Sequence, residues 1–169
     1  MLLTNVIAGY DTSKNQLALT MKILIESPEM YLRCAEDLEF CGKVVLESLR
    51  FSPIGSTYRE VANDFVYDGH HFRKGEMVVC TPALAGHDPS VFPDPMRFDP
   101  ERENANRHVG FGRGEHICLG QFIAKAQLQE GIHLIAQRLK NPRIAGEIEW
   151  RPFLATWGLL RLPISFDTV

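Results

Sequence analysis

The sequence predicts a mainly α-helical chain carrying small β-sheets. Three observations support this. The first 51 residues hold apolar residues at helical spacing, broken only by Ser27-Pro28. Short β-type runs separated by turn signals follow Pro53, and a helical apolar stretch returns from Leu119 to Leu139. At 169 residues, 45% hydrophobic and 23% charged, the chain has the composition of one globular domain.

In order, Leu17, Leu19, Met21, Ile23 and Leu24 give the first helix its apolar surface, and Ser27-Pro28 ends it. Pro28 suits the first turn of a short helix running to about Ala35. Val44, Val45, Leu46 and Leu49 mark a third helix, Leu38 to Phe51, stopped at Ser52-Pro53. Phe65-Val66-Tyr67 and Met77-Val78-Val79 read as strands, and Asp68-Gly69 between them is a hairpin signal. The stretch from Pro82 to about Gly114, rich in Pro, Asp, Asn, Arg and Gly, reads as mostly irregular, and loops that long are usually functional or disordered. Phe122, Ile123, Ala126, Ile132, Leu134 and Ile135 form the stripe of the late helix. Glu149 to Phe166 reads as strands with a turn at Trp157-Gly158.

Charge and cysteine usage bound the function. The net charge of −3 argues against nucleic acid or an anionic membrane as partner. No apolar run reaches the roughly 18 residues that span a bilayer, and the start has no basic leader. The four cysteines, Cys34, Cys41, Cys80 and Cys118, match no zinc-ribbon or CxxC spacing, so reduced thiols and a cytoplasmic location are expected. A zinc site from Cys80 with His70, His71 or His87 is a poor alternative, since adjacent strand residues face opposite ways.

The segment Phe111-Gly112-Arg113-Gly114-Glu115-His116-Ile117-Cys118-Leu119-Gly120 carries the most chemistry. A glycine-rich turn delivers a cysteine to the start of a helix, where free N–H groups and the helix dipole favour a thiolate. Glycines also let backbone approach a flat, bulky ligand. An inert buried cysteine is the plain alternative, but the pattern F-G-x-G-x-x-x-C-x-G arises by chance on the order of once in ten thousand chains of this length. This segment resembles the haem-binding signature of the cytochrome P450 family.

Other segments resemble family motifs in the family's order, from Gly9 to Phe166. Ala8-Gly9-Tyr10-Asp11-Thr12 is similar to the oxygen-activation motif of the central helix, though Asp and Thr here also suit a helix N-cap. Glu47-Ser48-Leu49-Arg50 is an E-x-x-R, a pattern that is common on solvated helix surfaces. Pro95 to Arg102 resembles the loop whose arginine joins that pair, with Arg102 the better match and Arg97 the lesser. Ala85-Gly86-His87-Asp88-Pro89 departs from the family's usual Asn-Arg-Asp-Pro at His87.

The resemblance implies roles for these residues. Cys118 would ligate the iron of haem b, with Phe111, Gly112, Gly120 and Gly9 against the ring and His116 and Arg59 on the propionates. Asp11 and Thr12 would relay protons to bound oxygen, and Glu47, Arg50 and Arg102 would form a structural network. Ile54, Gly55, Ser56, Thr156 and Trp157 fall where members line the substrate pocket. The implied activity is O₂-dependent hydroxylation of an organic small molecule, with electrons from a ferredoxin- or flavodoxin-type partner. The implied fold is the C-terminal part of the family fold over residues 1–169, its N-terminal half absent and supplied by a partner or a swapped copy. The competing expectation is a non-catalytic fragment or interaction module that keeps the motifs.

Overall fold

The computed structural model describes residues 2–152 and 156–168. It is mainly helical with small antiparallel sheets. Helix α1 (Leu2–Ile25) breaks at the Ser27-Pro28 step, and α2 (Pro28–Glu36) has the proline in its first turn. Asp37 then caps α3 (Leu38–Phe51), its carboxylate accepting from the Phe40 N–H at 2.9 Å. The short helix α4 (Pro82–Gly86) opens an otherwise irregular stretch, and α5 (Gln121–Arg138) follows the cysteine loop.

The core lies where α5 meets α1, α2 and α3. Met21 and Leu24 from α1, Tyr31 and Cys34 from α2, and Phe40, Cys41, Val44, Val45 and Leu49 from α3 close over Leu128, Ile132 and Ala136. Polar groups of α5 and α2 complete the helix ends. Tyr31 donates to the carbonyls of Leu139 (2.7 Å) and Ile135 (3.3 Å), and Gln129 donates to Leu38 O (2.9 Å). His133 Nδ1 lies 2.7 Å from Cys34 O. These contacts bind the helices to one another as well as pack them.

Among the described residues the strands form four antiparallel pairs. β1 (Thr57–Glu60) pairs with β4 (Met77–Cys80), and β2 (Phe65–Tyr67) with β3 (His70–Phe72). β5 (Leu139–Ile144) pairs with β8 (Ile164–Thr168), and β6 (Glu149–Trp150) with β7 (Leu159–Arg161).

Three expectations need correction. The Asp68-Gly69 turn, with φ of 50° and 74°, joins Phe65–Tyr67 to His70–Phe72 and not to Met77–Val79, which turns away to Thr57–Glu60. Two residues at positive φ are what a tight primed hairpin turn requires, so the partner strand must begin at once. The buried stripe of α5 is Leu128, Ile132 and Ala136 with Ile135 beside it, while Phe122, Ile123, Ala126 and Leu134 are exposed. The helix also starts at Gln121, not Leu119. Finally, no turn forms at Trp157-Gly158: Trp157 is extended toward the 54–56 segment, its N–H donating to Ile54 O at 2.6 Å.

Candidate functional site

The cysteine loop is built by its backbone. Gly112 and Gly114 lie at φ of 74° and 76°, where a side chain would be strained. Gly112 N–H donates to Val109 O (2.8 Å) and Ile117 N–H to Gly114 O (3.1 Å). The Cys118 N–H closes the loop onto Phe111 O at 2.9 Å. Cys118 O then accepts from Gln121 N–H at 3.3 Å, so the cysteine lies immediately before α5, with Gly120 as its N-cap. A Cβ on Gly120 would stand 4.0 Å from Cys118 Sγ.

The thiol is exposed, unlike those of Cys34 and Cys41, which are buried in the core. The residues that follow it in the chain are apolar and exposed: Leu119 is 91% exposed, and Phe122 and Ile123 stand on the first turn of α5. Val6, Ile7 and Tyr10 leave a second apolar stretch open on α1. The first and last glycines of the motif region, Gly9 and Gly120, have open space or only sulfur beside them.

Behind the loop is a buried ion cluster. Arg50 grips Glu47 bidentately, Nη2 to Oε1 at 2.7 Å and Nε to Oε2 at 2.8 Å, with both side chains fully buried. Arg102 reaches the same Oε1 at 3.4 Å, which Asp99 N–H also donates to at 2.8 Å. The other Arg50 donors go to the carbonyls of Gly86 (2.6 Å), Pro95 (2.9 Å) and Arg97 (3.1 Å). Arg102 further donates to Pro93 O, Asp94 O and Arg97 O. Arg97 contributes its carbonyl; its own side chain is turned outward, 3.8 Å from Asp99. At the His87 departure, the imidazole Nδ1 stands 2.8 Å from Ala83 O and the ring packs on Phe51.

The loop also leans on His108. Its Nδ1 accepts from Gly110 N–H at 3.0 Å and its ring tilts against Phe111. Burial first, then the charges of Lys125 and Arg113, hold its pKa down at about 4, so the imidazole is neutral at pH 7.

On α1, the Thr12 hydroxyl donates back to the Ala8 carbonyl one turn earlier, beside Gly9. Asp11 is held by two cations. Arg151 forks onto it, Nη1 to Oδ2 at 2.8 Å and Nη2 to Oδ1 at 3.0 Å, and Lys14 lies 3.2 Å from Oδ1. The Arg151 hydrogen bonds, with help from Lys14, hold the Asp11 carboxyl well below the usual carboxylate range. His116 and Arg59 both point to solvent, and Arg59 donates to the neighbouring Tyr58 carbonyl at 2.8 Å. The two remote segments expected to line a pocket do come together: Gly55 bridges Thr156 in antiparallel fashion beside the Trp157–Ile54 bond, and Ser56 is half-buried next to them. The Trp157 ring stacks on Trp150 at 5.1 Å.

Sequence reasoning missed Arg151 and His108. Nothing local marks Arg151, since its partner is 140 residues away. His108 stands three residues ahead of Phe111, and a histidine entering a glycine turn was the available signal.

One exposed sulfur is flanked by glycine and apolar side chains, and no group of three His, Cys, Asp or Glu residues converges on a metal among the described residues. A porphyrin iron would fit such a site, because the porphyrin would hold most of the iron's coordination and Cys118 would add one soft thiolate ligand. Fold and loop together define a protein of the haem-thiolate class, whose cofactor is haem b. Residues 1–163 match the family Cytochrome P450. The chain belongs to that family. It is 37% identical over 165 residues to luteothin monooxygenase of Streptomyces thioluteus, covering 96% of this chain and 41% of that protein. It is 35% identical over 164 residues to the biotin biosynthesis cytochrome P450 of Bacillus subtilis, covering 95% and 41%. The solved cytochrome P450 CYP109Q5 of Chondromyces apiculatus superposes with a TM-score of 0.90 at 27% identity, covering 98% of this chain and 43% of that one. The chain thus spans about two fifths of the length of the relatives it matches. No helix among the described residues is long and apolar enough to cross a membrane.

Proposed function

We propose that this chain is the cysteine-presenting part of a haem-thiolate monooxygenase that hydroxylates an organic small molecule with O₂. The observation that carries this reading is Cys118: an exposed thiol just ahead of α5, on a loop closed by the Cys118–Phe111 bond and followed in the chain by exposed apolar side chains. Haem bound there supplies oxygen binding and activation, which a thiolate ligand promotes by pushing electron density onto iron.

The chain's own residues divide the remaining work. Cys118 holds the iron, while Phe111, Gly112, Gly120 and Gly9 give the ring access. Arg59 and His116 reach the propionates once the group is in place, their exposure leaving them free to turn. Glu47, Arg50 and Arg102 fix the stretch before the cysteine loop through backbone groups of Gly86, Pro93, Asp94, Pro95, Arg97 and Asp99. Thr12 holds a proton donor over the groove at Gly9, and Asp11 refills it from solvent. Ile54, Gly55, Ser56, Thr156 and Trp157 line the substrate side. Electrons come from a ferredoxin- or flavodoxin-type protein, and the setting is cytoplasmic.

The open apolar faces at Val6–Tyr10 and Leu119–Ile123 are covered in the working protein by segments like the N-terminal part of the relatives, or by a swapped copy. Exposed apolar surface is worth about 25 cal/mol per Å², so the chain by itself associates; sedimentation at micromolar concentration reads this directly. The primary test is the absorption spectrum of the reduced, carbon-monoxide-treated protein. A strongly red-shifted main band that disappears in Cys118→Ala is the expected result. Retention of the same iron spectrum in that variant would place the ligand elsewhere. Absence of haem uptake in any assembly favours the interaction-module reading.

A further inference from the structure

We infer that His108 is a positioning residue for Cys118: through the hydrogen bond its ring accepts from Gly110, it sets the turn from which Phe111 holds the cysteine. The inference rests on the reading of Cys118 as the iron ligand. It goes beyond that reading by naming a side chain ahead of the glycine loop that fixes where the sulfur stands.

The run of contacts is short. Phe111 O holds the Cys118 N–H at 2.9 Å, so the cysteine is only as well placed as Phe111. Phe111 packs on the helical core, and its ring tilts against that of His108, with centroids 5.8 Å apart. Between them lies Gly110, whose N–H donates to His108 Nδ1 at 3.0 Å. His108 is itself tied to the 3-10 turn Ala105–Arg107 before it: its N–H donates to the carbonyl of the buried Ala105 at 3.1 Å. Gly110 is wedged in place. A Cβ there would come within 2.8 Å of Leu49 O and 3.2 Å of His108 Nδ1. Leu49 lies on α3 between Glu47 and Arg50, so the turn is pressed against the helix that carries the buried ion cluster. A backbone N–H in so tight a place needs a partner close by, and the His108 ring supplies it.

The ring can do this in one form only. Nδ1 must keep its lone pair, so the single ring proton sits on Nε2. A second proton is disfavoured by burial, then by the charges of Lys125 on α5 and Arg113 in the loop, which hold the group at about 4. The acceptor is therefore present at neutral pH. Without it the Gly110 N–H has no partner, the turn opens more often, and Phe111 carries the Cys118 N–H away with it. The buried ion cluster fixes the stretch ahead of the loop, and His108 passes that fixed position on to the sulfur.

The experiment compares His108→Phe, His108→Asn and Ile132→Val with the parent protein in the haem-loaded assembly. His108→Phe keeps a ring beside Phe111 and loses the acceptor. His108→Asn keeps an acceptor and loses the ring, and Ile132→Val weakens the core away from the turn. The first readout is hydrogen exchange at the Cys118 amide. It should quicken about fivefold in His108→Phe, the effect of one neutral hydrogen bond on a local opening, and stay near the parent rate in the other two. The second is the urea that halves the red-shifted band of the reduced, carbon-monoxide-treated protein, set against the urea that halves the helical circular dichroism. The band should fail ahead of the helices in His108→Phe alone. The third needs no variant: ring ¹⁵N shifts of the parent protein should report a bare Nδ1 and a protonated Nε2 at pH 7. A protonated Nδ1 overturns the inference, and this measurement decides even where His108→Phe does not fold. Unmoved Cys118 exchange in His108→Phe also overturns it, as does a band that fails together with the helices. Equal quickening in Ile132→Val, or in His108→Asn, reduces His108 to a structural residue and overturns it too. If Cys118→Ala keeps the band, the ligand reading itself fails and this inference fails with it.

Discussion

Two arginine–carboxylate forks stand on this chain, and they differ in almost everything but their chemistry. The Glu47–Arg50 pair has both side chains fully buried, whereas Asp11 and Arg151 keep 33% and 25% of theirs exposed. Burial removes the option of solvent. Every donor of Arg50 needs a fixed partner, and it finds them on Gly86, Pro95 and Arg97 as well as Glu47. The exposed fork can open, because water takes over either half at small cost. One arrangement therefore serves as a rigid joint and the other as an adjustable contact, and depth alone separates them.

Breaking the buried joint should have the largest effect. Glu47→Ala strands two guanidiniums out of water, and removing one member of a buried ion cluster typically costs about 3–5 kcal/mol. Loss of cooperative unfolding, or a large drop in melting temperature, is the expected outcome; unchanged melting would show that the cluster is solvated. Gly86→Ala attacks the same joint from the backbone. A Cβ there would fall 2.1 Å from Arg50 O, so the Gly86 carbonyl must leave Arg50, and a cost of about 1–3 kcal/mol or more follows by denaturant titration.

A smaller, pH-dependent effect belongs to His108. Its folded pKa is about 4, below the ordinary 6.5, so the unfolded chain binds a proton that the folded chain refuses. Its contribution is fully present above pH 6.5 and is lost as pH falls toward 4, on the order of 3 kcal/mol in all. His108→Asn, which keeps an acceptor for Gly110 N–H, should flatten the stability profile over that window. The smallest effect should come from Arg151→Ala: a slight change in melting that added salt erases, since the pair it breaks is screened. A large, salt-insensitive loss would put both forks in one class after all.

Much of this was legible in the residues, for physical reasons. Ser27-Pro28 and Ser52-Pro53 are backbone stops, and α1 ends at Ile25 and α3 at Phe51, just ahead of them. The cysteine loop was legible because its glycines answer a conformational demand that other residues meet only with strain. Strand partners were less so: Asp68-Gly69 marks where the chain reverses, and says nothing of what Met77–Cys80 will meet. The stripe on α5 misled at Phe122 and Ile123, where apolar character serves a surface and not this core. Arg151 was out of reach, because an ion pair formed by tertiary approach leaves no periodic trace.

That approach also sets an order of assembly. Asp11 and Arg151 are separated by 140 residues, while the core rests on helices that follow one another directly, closed by α5. Loop-closure entropy is repaid last for the most distant contacts, which slows the steps that form them. The helices therefore gather first and the tail seats itself on a finished bundle, so a chain still emerging from synthesis holds Cys118 in place before Asp11 meets Arg151.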